Sequence, residues 1–113
     1  MQLDIKTKGI ELTNAIRAHI EEKMASLDAK VARFGSAVTA EVEVGKTSEH
    51  HHKGDIYRAE VHVRLPGNTI YAEATHEDLY AAINQAKQEA DRQIMDHKNK
   101  LADVHRGDDE DAA

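Results

Sequence analysis

The sequence predicts an α+β domain with the element order β-α-β-β-β-α, a four-stranded sheet with two helices packed on one face. Three observations carry this reading. Four segments alternate apolar and polar residues with a period of two, two longer segments repeat apolar residues at spacings of three and four, and every segment has a single apolar side. Such sides are buried most simply against one another, as two helices on one sheet. The length of 113 residues fits one domain with a modest core. With 40% hydrophobic and 32% charged residues, one proline and six glycines, the composition is that of a folded chain.

Leu3 and Ile5 alternate with Gln2, Asp4 and Lys6, a first strand that ends at Gly9. Leu12, Ile16, Ile20, Met24, Leu27, Val31 and Phe34 then form the apolar stripe of a first helix over 14–33, with Thr13 as N-cap and Gly35 as stop. Val38, Ala40, Val42 and Val44 alternate with Thr39, Glu41 and Glu43 in a second strand. The polar stretch GKTSEHHHKGD follows and reads as a loop. A third strand has Tyr57, Ala59, Val61, Val63 and Leu65 on one side and Arg58, Glu60, His62 and Arg64 on the other. Pro66, Gly67 and Asn68 form a turn into a fourth strand, with Ile70, Ala72 and Ala74 facing inward. Thr75 with Asp78 resembles a capping box, and Leu79, Ile83, Ala86, Ala90, Ile94 and Leu101 mark a second helix uninterrupted before Gly107. A helix of this length is expected to overhang the sheet.

The absence of cysteine excludes disulfides, thiolate nucleophiles and Cys-type zinc sites, and is compatible with a reducing cytosol. No apolar run approaches the roughly 18 residues of a membrane span, and MQLDIKTKG lacks the apolar centre of a signal peptide, so a cytoplasmic location is expected. The chain carries a net charge of −6, but residues 107–113, GDDEDAA, hold four acids and no base. We therefore place a domain at 1–105 and an acidic, disordered C-terminal tail at 106–113, solvated or acting at the edge of a binding surface. His50, His51 and His52 are adjacent but lack metal-ligand spacing, and His76 and Glu77 lack a histidine four residues after the first. There is no nucleophile elbow, phosphate loop or glycine fingerprint, so neither an enzyme nor a cofactor is expected.

Charge is sorted on the first helix and less cleanly on the second, whose basic end forms a patch only if it projects beyond the sheet. At about 100° per residue, His19, Lys23, Lys30 and Arg33 fall beside the apolar stripe of the first helix, with Glu21 and Asp28 on the opposite flank. On the second helix Tyr80, Lys87, Asp91 and Lys98 share a flank, Arg92 and Lys100 project elsewhere, and His97 lies on the apolar line. Such flanks serve either as solvated covers of the core edge or as phosphate-binding surfaces, with Tyr80 available for stacking on a base.

The stretch Asp78-Leu79-Tyr80-Ala81-Ala82-Ile83-Asn84, with Arg92-Gln93-Ile94 and His97-Lys98-Asn99-Lys100-Leu101, resembles the second-helix signature of the ribosome hibernation-promoting factors, a family that includes the ribosome-associated inhibitor. Glu11-Leu12-Thr13-Asn14-Ala15-Ile16-Arg17 is similar to the start of their first helix, and Met1-Gln2-Leu3-Asp4-Ile5 to their first strand. The resemblance covers about residues 1–102. It implies the same β-α-β-β-β-α fold and a non-enzymatic bacterial stress or stationary-phase protein. Such a protein binds the small ribosomal subunit and its ribosomal RNA where messenger and the A- and P-site transfer RNAs sit, blocking initiation and preserving idle ribosomes. Matching basic positions are Arg17, Lys23, Arg92, Lys98 and Lys100; Tyr80 and Asp78 match the signature, and Lys30, Arg33 and Lys87 join them from the charge pattern. Glu89 and Asp96 depart from it, standing where relatives often carry Lys, and the loop with His50 to His52 is longer than usual. The resemblance implies a short form without the dimerisation domain of the long factors. One short type pairs ribosomes with the help of a small dimerising factor, and another holds single ribosomes inactive. The alternative is a small protein-interaction module that does not bind ribosomes.

Overall fold

Strands β1 (Gln2–Lys8), β2 (Thr39–His51), β3 (Gly54–Leu65) and β4 (Asn68–His76) lie side by side in chain order. β1 runs parallel to β2, and the β2-β3 and β3-β4 pairs are antiparallel. The parallel pair needs a crossover, supplied by α1 (Asn14–Val31) and a short 3-10 turn (Ala32–Phe34); α2 (Leu79–Ala112) follows β4. The computed structural model describes the backbone of residues 1–51 and 54–112 and the side chains of 1–47 and 54–102. The side chains of His50 to His52, and those of the expected tail at 106–113, lie outside the described residues.

The apolar sides meet as their periodicity requires. Ile16, Ile20, Met24, Leu27 and Val31 of α1 and Ala82, Ile83, Ala86, Ala90 and Ile94 of α2 close over Val42, Val44, Val61, Val63, Ile70 and Ala72 of the sheet in one core. Each fully buried aliphatic side chain contributes about 1.5–3 kcal/mol relative to exposure. Leu3 and Ile5 of the edge strand β1 pack against this core while staying partly open. Among the described residues no polar or charged side chain is buried. The polar side of the sheet is left to solvent and holds Lys6 with Glu41 at 3.1 Å and Arg58 with Glu60 at 2.8 Å and with Glu73.

The caps are local chemistry. Thr13 Oγ1 accepts from Ile16 N at 3.2 Å, and Gly35, at φ 93°, takes a positive-φ conformation that favours glycine and ends the 3-10 turn. The capping assignment at the second helix is corrected. Thr75 is still in β4, opposite Arg58, and Asp78 is the cap, its Oδ1 accepting from Tyr80 N at 2.9 Å. Strand pairing holds the backbone extended through His76, so the helix starts three residues later than Thr75 would place it. The polar stretch after Val44 is also corrected from loop to strand. β2 continues to His51 and pairs with the start of β3, with a register shift between Lys46 and His50. The residues of this arm are almost all polar, so its strands lack the apolar alternation that marks the others.

Candidate nucleic-acid interface

Four pairs fix how the helices lie. His19 Nε2 is 2.8 Å from Asn84 Oδ1, the His19 and Tyr80 rings meet edge to face at 4.8 Å, Lys30 Nζ is 2.6 Å from Asp91, and Phe34 and His97 rings lie 5.6 Å apart. Partner numbers rise together, so α1 and α2 run parallel with one flank of each facing the other. With the Asn84 amide oxygen as acceptor, the Nε2–H tautomer of His19 donates.

The groove between the helices gathers most of the residues singled out by charge pattern. Lys23 and Lys30 of α1 and Lys87 and Lys98 of α2 are all half-buried on the flanks that helical position turns towards it, and Lys30 and Lys87 direct their ammonium groups to Asp91. Tyr80 opens the row, 38% exposed, its ring edge-on to His19. Arg33 closes it: its guanidinium carbon is 5.4 Å from the Phe34 ring centre, and Phe34 in turn stacks with His97. His97 Nδ1 lies 3.3 Å from Asn68 Nδ2 at the start of β4, tying this part of α2 to the sheet.

Three candidates are not part of this row. Arg17 lies on the far flank of α1, 3.9 Å from Glu21; that flank also holds Asp28, which pairs with the N-terminal amine at 3.2 Å. Arg92 projects from the ridge of α2 between two acids, its Nη2 2.5 Å from Glu89 and its Nη1 2.8 Å from Asp96. Hydrogen bonds from Arg92 and then Gln93 hold the Glu89 carboxyl down to about 2. Glu89 and Asp96 thus neutralise Arg92 on a side of α2 turned away from the groove. Lys100 is exposed on the flank of α2 remote from α1.

Two groove residues were missed in the sequence, Asn84 and the bridging role of Asp91. Asn84 follows Tyr80 by four residues and therefore shares its flank, which is the signal that points to it. Asp91 takes Lys30 Nζ on both carboxylate oxygens at 2.6 Å and stands 3.8 Å from Lys87 Nζ. Among the described residues no group of three or more histidines or acids is placed to hold a metal ion, and no helix is long and apolar enough to cross a membrane.

Fold and site together define a class: a two-layer α+β domain with a basic, tyrosine-bearing groove in its helical layer and an open sheet of paired charges. Residues 3–102 match the model of the family described as Sigma 54 modulation protein / S30EA ribosomal protein, and the chain belongs to that family. It is 34% identical over 101 residues to the ribosome hibernation promoting factor of Escherichia coli K12, covering 89% of this chain and 97% of that one. It is 29% identical over 107 residues to the factor of Pseudomonas putida, covering 95% and 96%. Against the ribosome hibernation promotion factor of Lactococcus lactis it is 34% identical over 103 residues, but spans only 51% of that longer relative. Among solved structures, the N-terminal domain of Thermus thermophilus Protein Y superposes with a TM-score of 0.67 at 31% identity, over 83% of this chain and 96% of that one. A ribosomal subunit interface protein from Coxiella burnetii, 18% identical, shares the fold with a TM-score of 0.68, over 88% and 99%.

Proposed function

We propose that this chain is a ribosome hibernation factor that binds the small ribosomal subunit through its inter-helix groove. It occupies the channel where messenger and the A- and P-site transfer RNAs sit. The observation that carries the reading is the sorting of charge: Lys23, Lys30, Lys87, Lys98 and Arg33 share the groove with Tyr80, with Asp91 as the opposing acid, while on the open sheet Glu41, Glu60 and Glu73 are balanced by Lys6 and Arg58. A row of ammonium groups beside an aromatic ring suits a folded RNA backbone with an unstacked base. The relatives named ribosome hibernation promoting factor support the role.

The mechanism is occupancy. Binding energy comes from several phosphate contacts, no bond is made or broken, and translation stops because the channel is filled. Arg17, Arg92 and Lys100 contribute at most to a wider footprint. A small ribosome-dimerising factor is a further partner under this reading, and the cytosol its compartment.

Co-sedimentation with purified small subunits at low salt tests the proposal, with a sucrose-gradient ribosome profile to separate single from dimeric inactive ribosomes. Binding that weakens steeply with salt is expected. Absence of binding at low salt would sink the reading and leave the protein-interaction module in its place.

A further inference from the structure

Asp91 is the acid on the facing flanks of the two helices. Its carboxylate reaches across the groove to Lys30, taking the ammonium on both oxygens at 2.6 Å, and lies 3.8 Å from Lys87 on its own helix. Only 22% of the Asp91 side chain is exposed, with 19% for Lys87 and 36% for Lys30, so these charges interact with less screening than surface pairs. One carboxylate thus occupies the position between two lysines that a bridging phosphate oxygen would take.

We infer that Asp91 is a specificity-determining residue of the groove, an internal counter-anion that discourages casual polyanion binding. This rests on the proposed RNA-facing role of the groove. A lone phosphate approaching Lys30 or Lys87 must compete with a carboxylate already in place, so a flexible single strand gains little there. A rigid RNA surface that meets Lys23, Lys98, Arg33 and Tyr80 together has contacts enough to draw the lysines over. Asp91 therefore subtracts more from generic than from cognate affinity, which is how a repulsive element produces discrimination.

The test compares wild type with Asp91→Asn on two probes across a salt series: an oligouridine and purified small ribosomal subunits. The Asn variant is expected to bind oligouridine several-fold more tightly, with the slope of log affinity against log salt steeper by about 0.7–0.9, one further phosphate contact. Subunit affinity should change by a smaller factor, so the ratio of the two affinities falls. Asp91→Glu, which keeps the charge, should hold that ratio near wild type. Asp91→Ser removes the same charge and replaces the Asn variant if that one does not fold. An unchanged oligouridine affinity and slope, or equal tightening on both probes, overturns the inference alone. Failure of the wild-type protein to bind subunits overturns the functional reading beneath it.

Discussion

The side-chain amide of Gln93 pairs with both backbone groups of Tyr71, its Oε1 accepting from Tyr71 N at 3.3 Å and its Nε2 donating to Tyr71 O at 2.7 Å. β4 is an edge strand, and the outward-facing peptide groups of such a strand invite a foreign chain to pair. One turn of α2 lies close enough for a single amide to fill part of the role of a fifth strand. The same Gln93 also donates to Glu89, so the edge and the acidic side of α2 are joined.

Replacing Gln93 by Ala is expected to cost about 1 kcal/mol, the net value of hydrogen bonds in a solvent-accessible setting. Urea unfolding measures that loss. Hydrogen exchange supplies the more specific readout: the Tyr71 amide should lose protection while amides of β2 keep theirs.

Lys87→Ala and Lys98→Ala should each weaken small-subunit binding and lower the salt slope by about one. Arg92→Ala should do markedly less, because Glu89 and Asp96 already hold its guanidinium. A joint reversal of Lys23, Lys87 and Lys98 to Glu should abolish inhibition in a cell-free translation assay with the circular dichroism spectrum unchanged. An Arg92 effect as large as that of Lys87 would mean that RNA lies over the ridge of α2 and not in the groove.

The pH dependence follows from Glu89, whose carboxyl is held down to about 2 from an ordinary 4.5 by Arg92 first and Gln93 second. A folded-state value below the unfolded one stabilises the fold fully above pH 4.5, and that contribution fades as pH falls towards about 2. Thermal melts of wild type and Glu89→Gln should therefore differ slightly at neutral pH and converge at the acid end of this window. The effect is small because the carboxylate is exposed and solvent screens it.

Gly45 is needed for close approach rather than for an unusual backbone angle. It pairs with Lys8 on one side and Arg58 on the other, and a Cβ there would collide with the Lys8 carbonyl oxygen. Gly45→Ala is expected to cost roughly 1–3 kcal/mol, as overpacking does, and to loosen the end of β1. A shift in the urea midpoint, together with faster exchange at residues 6–8, checks it.

The buried half of the fold was legible because burial is periodic. Ile16, Ile20, Met24, Leu27 and Val31 announce α1 by spacing alone, and Ala59, Val61, Val63 and Leu65 do the same for β3. The β2-β3 arm escaped that logic, since its strands are held by pairing to each other and have no apolar face to display. Thr75 and Asp78 both carry cap chemistry, and only the length of the β3-β4 pairing decides between them. For the groove, helical angles placed Lys23, Lys30, Tyr80, Lys87 and Lys98 on sorted flanks. They do not say which flanks meet, and the Lys30-Asp91 and His19-Asn84 pairs depend on that register. The neutralisation of Arg92 was within reach, as Glu89 and Asp96 stand three residues before and four after it.

The parallel course of α1 and α2 also gives the groove a direction. The N-terminal poles of both helices, at Thr13 and Asp78, lie at the same end, each carrying the partial positive charge of its aligned peptide dipoles. At the other end the negative pole of α1 is opposed by Lys30 and Arg33, while α2 runs on to Ala112 and carries its own pole away. The positive charge along the groove therefore has a different source at each end, peptide groups partly offset by the Asp78 carboxylate near Tyr80 and side chains near Lys98, with Asp91 set between Lys30 and Lys87. Salt screens both sources, whereas substitution of the lysines removes only the second and leaves the peptide groups at the tyrosine end in place.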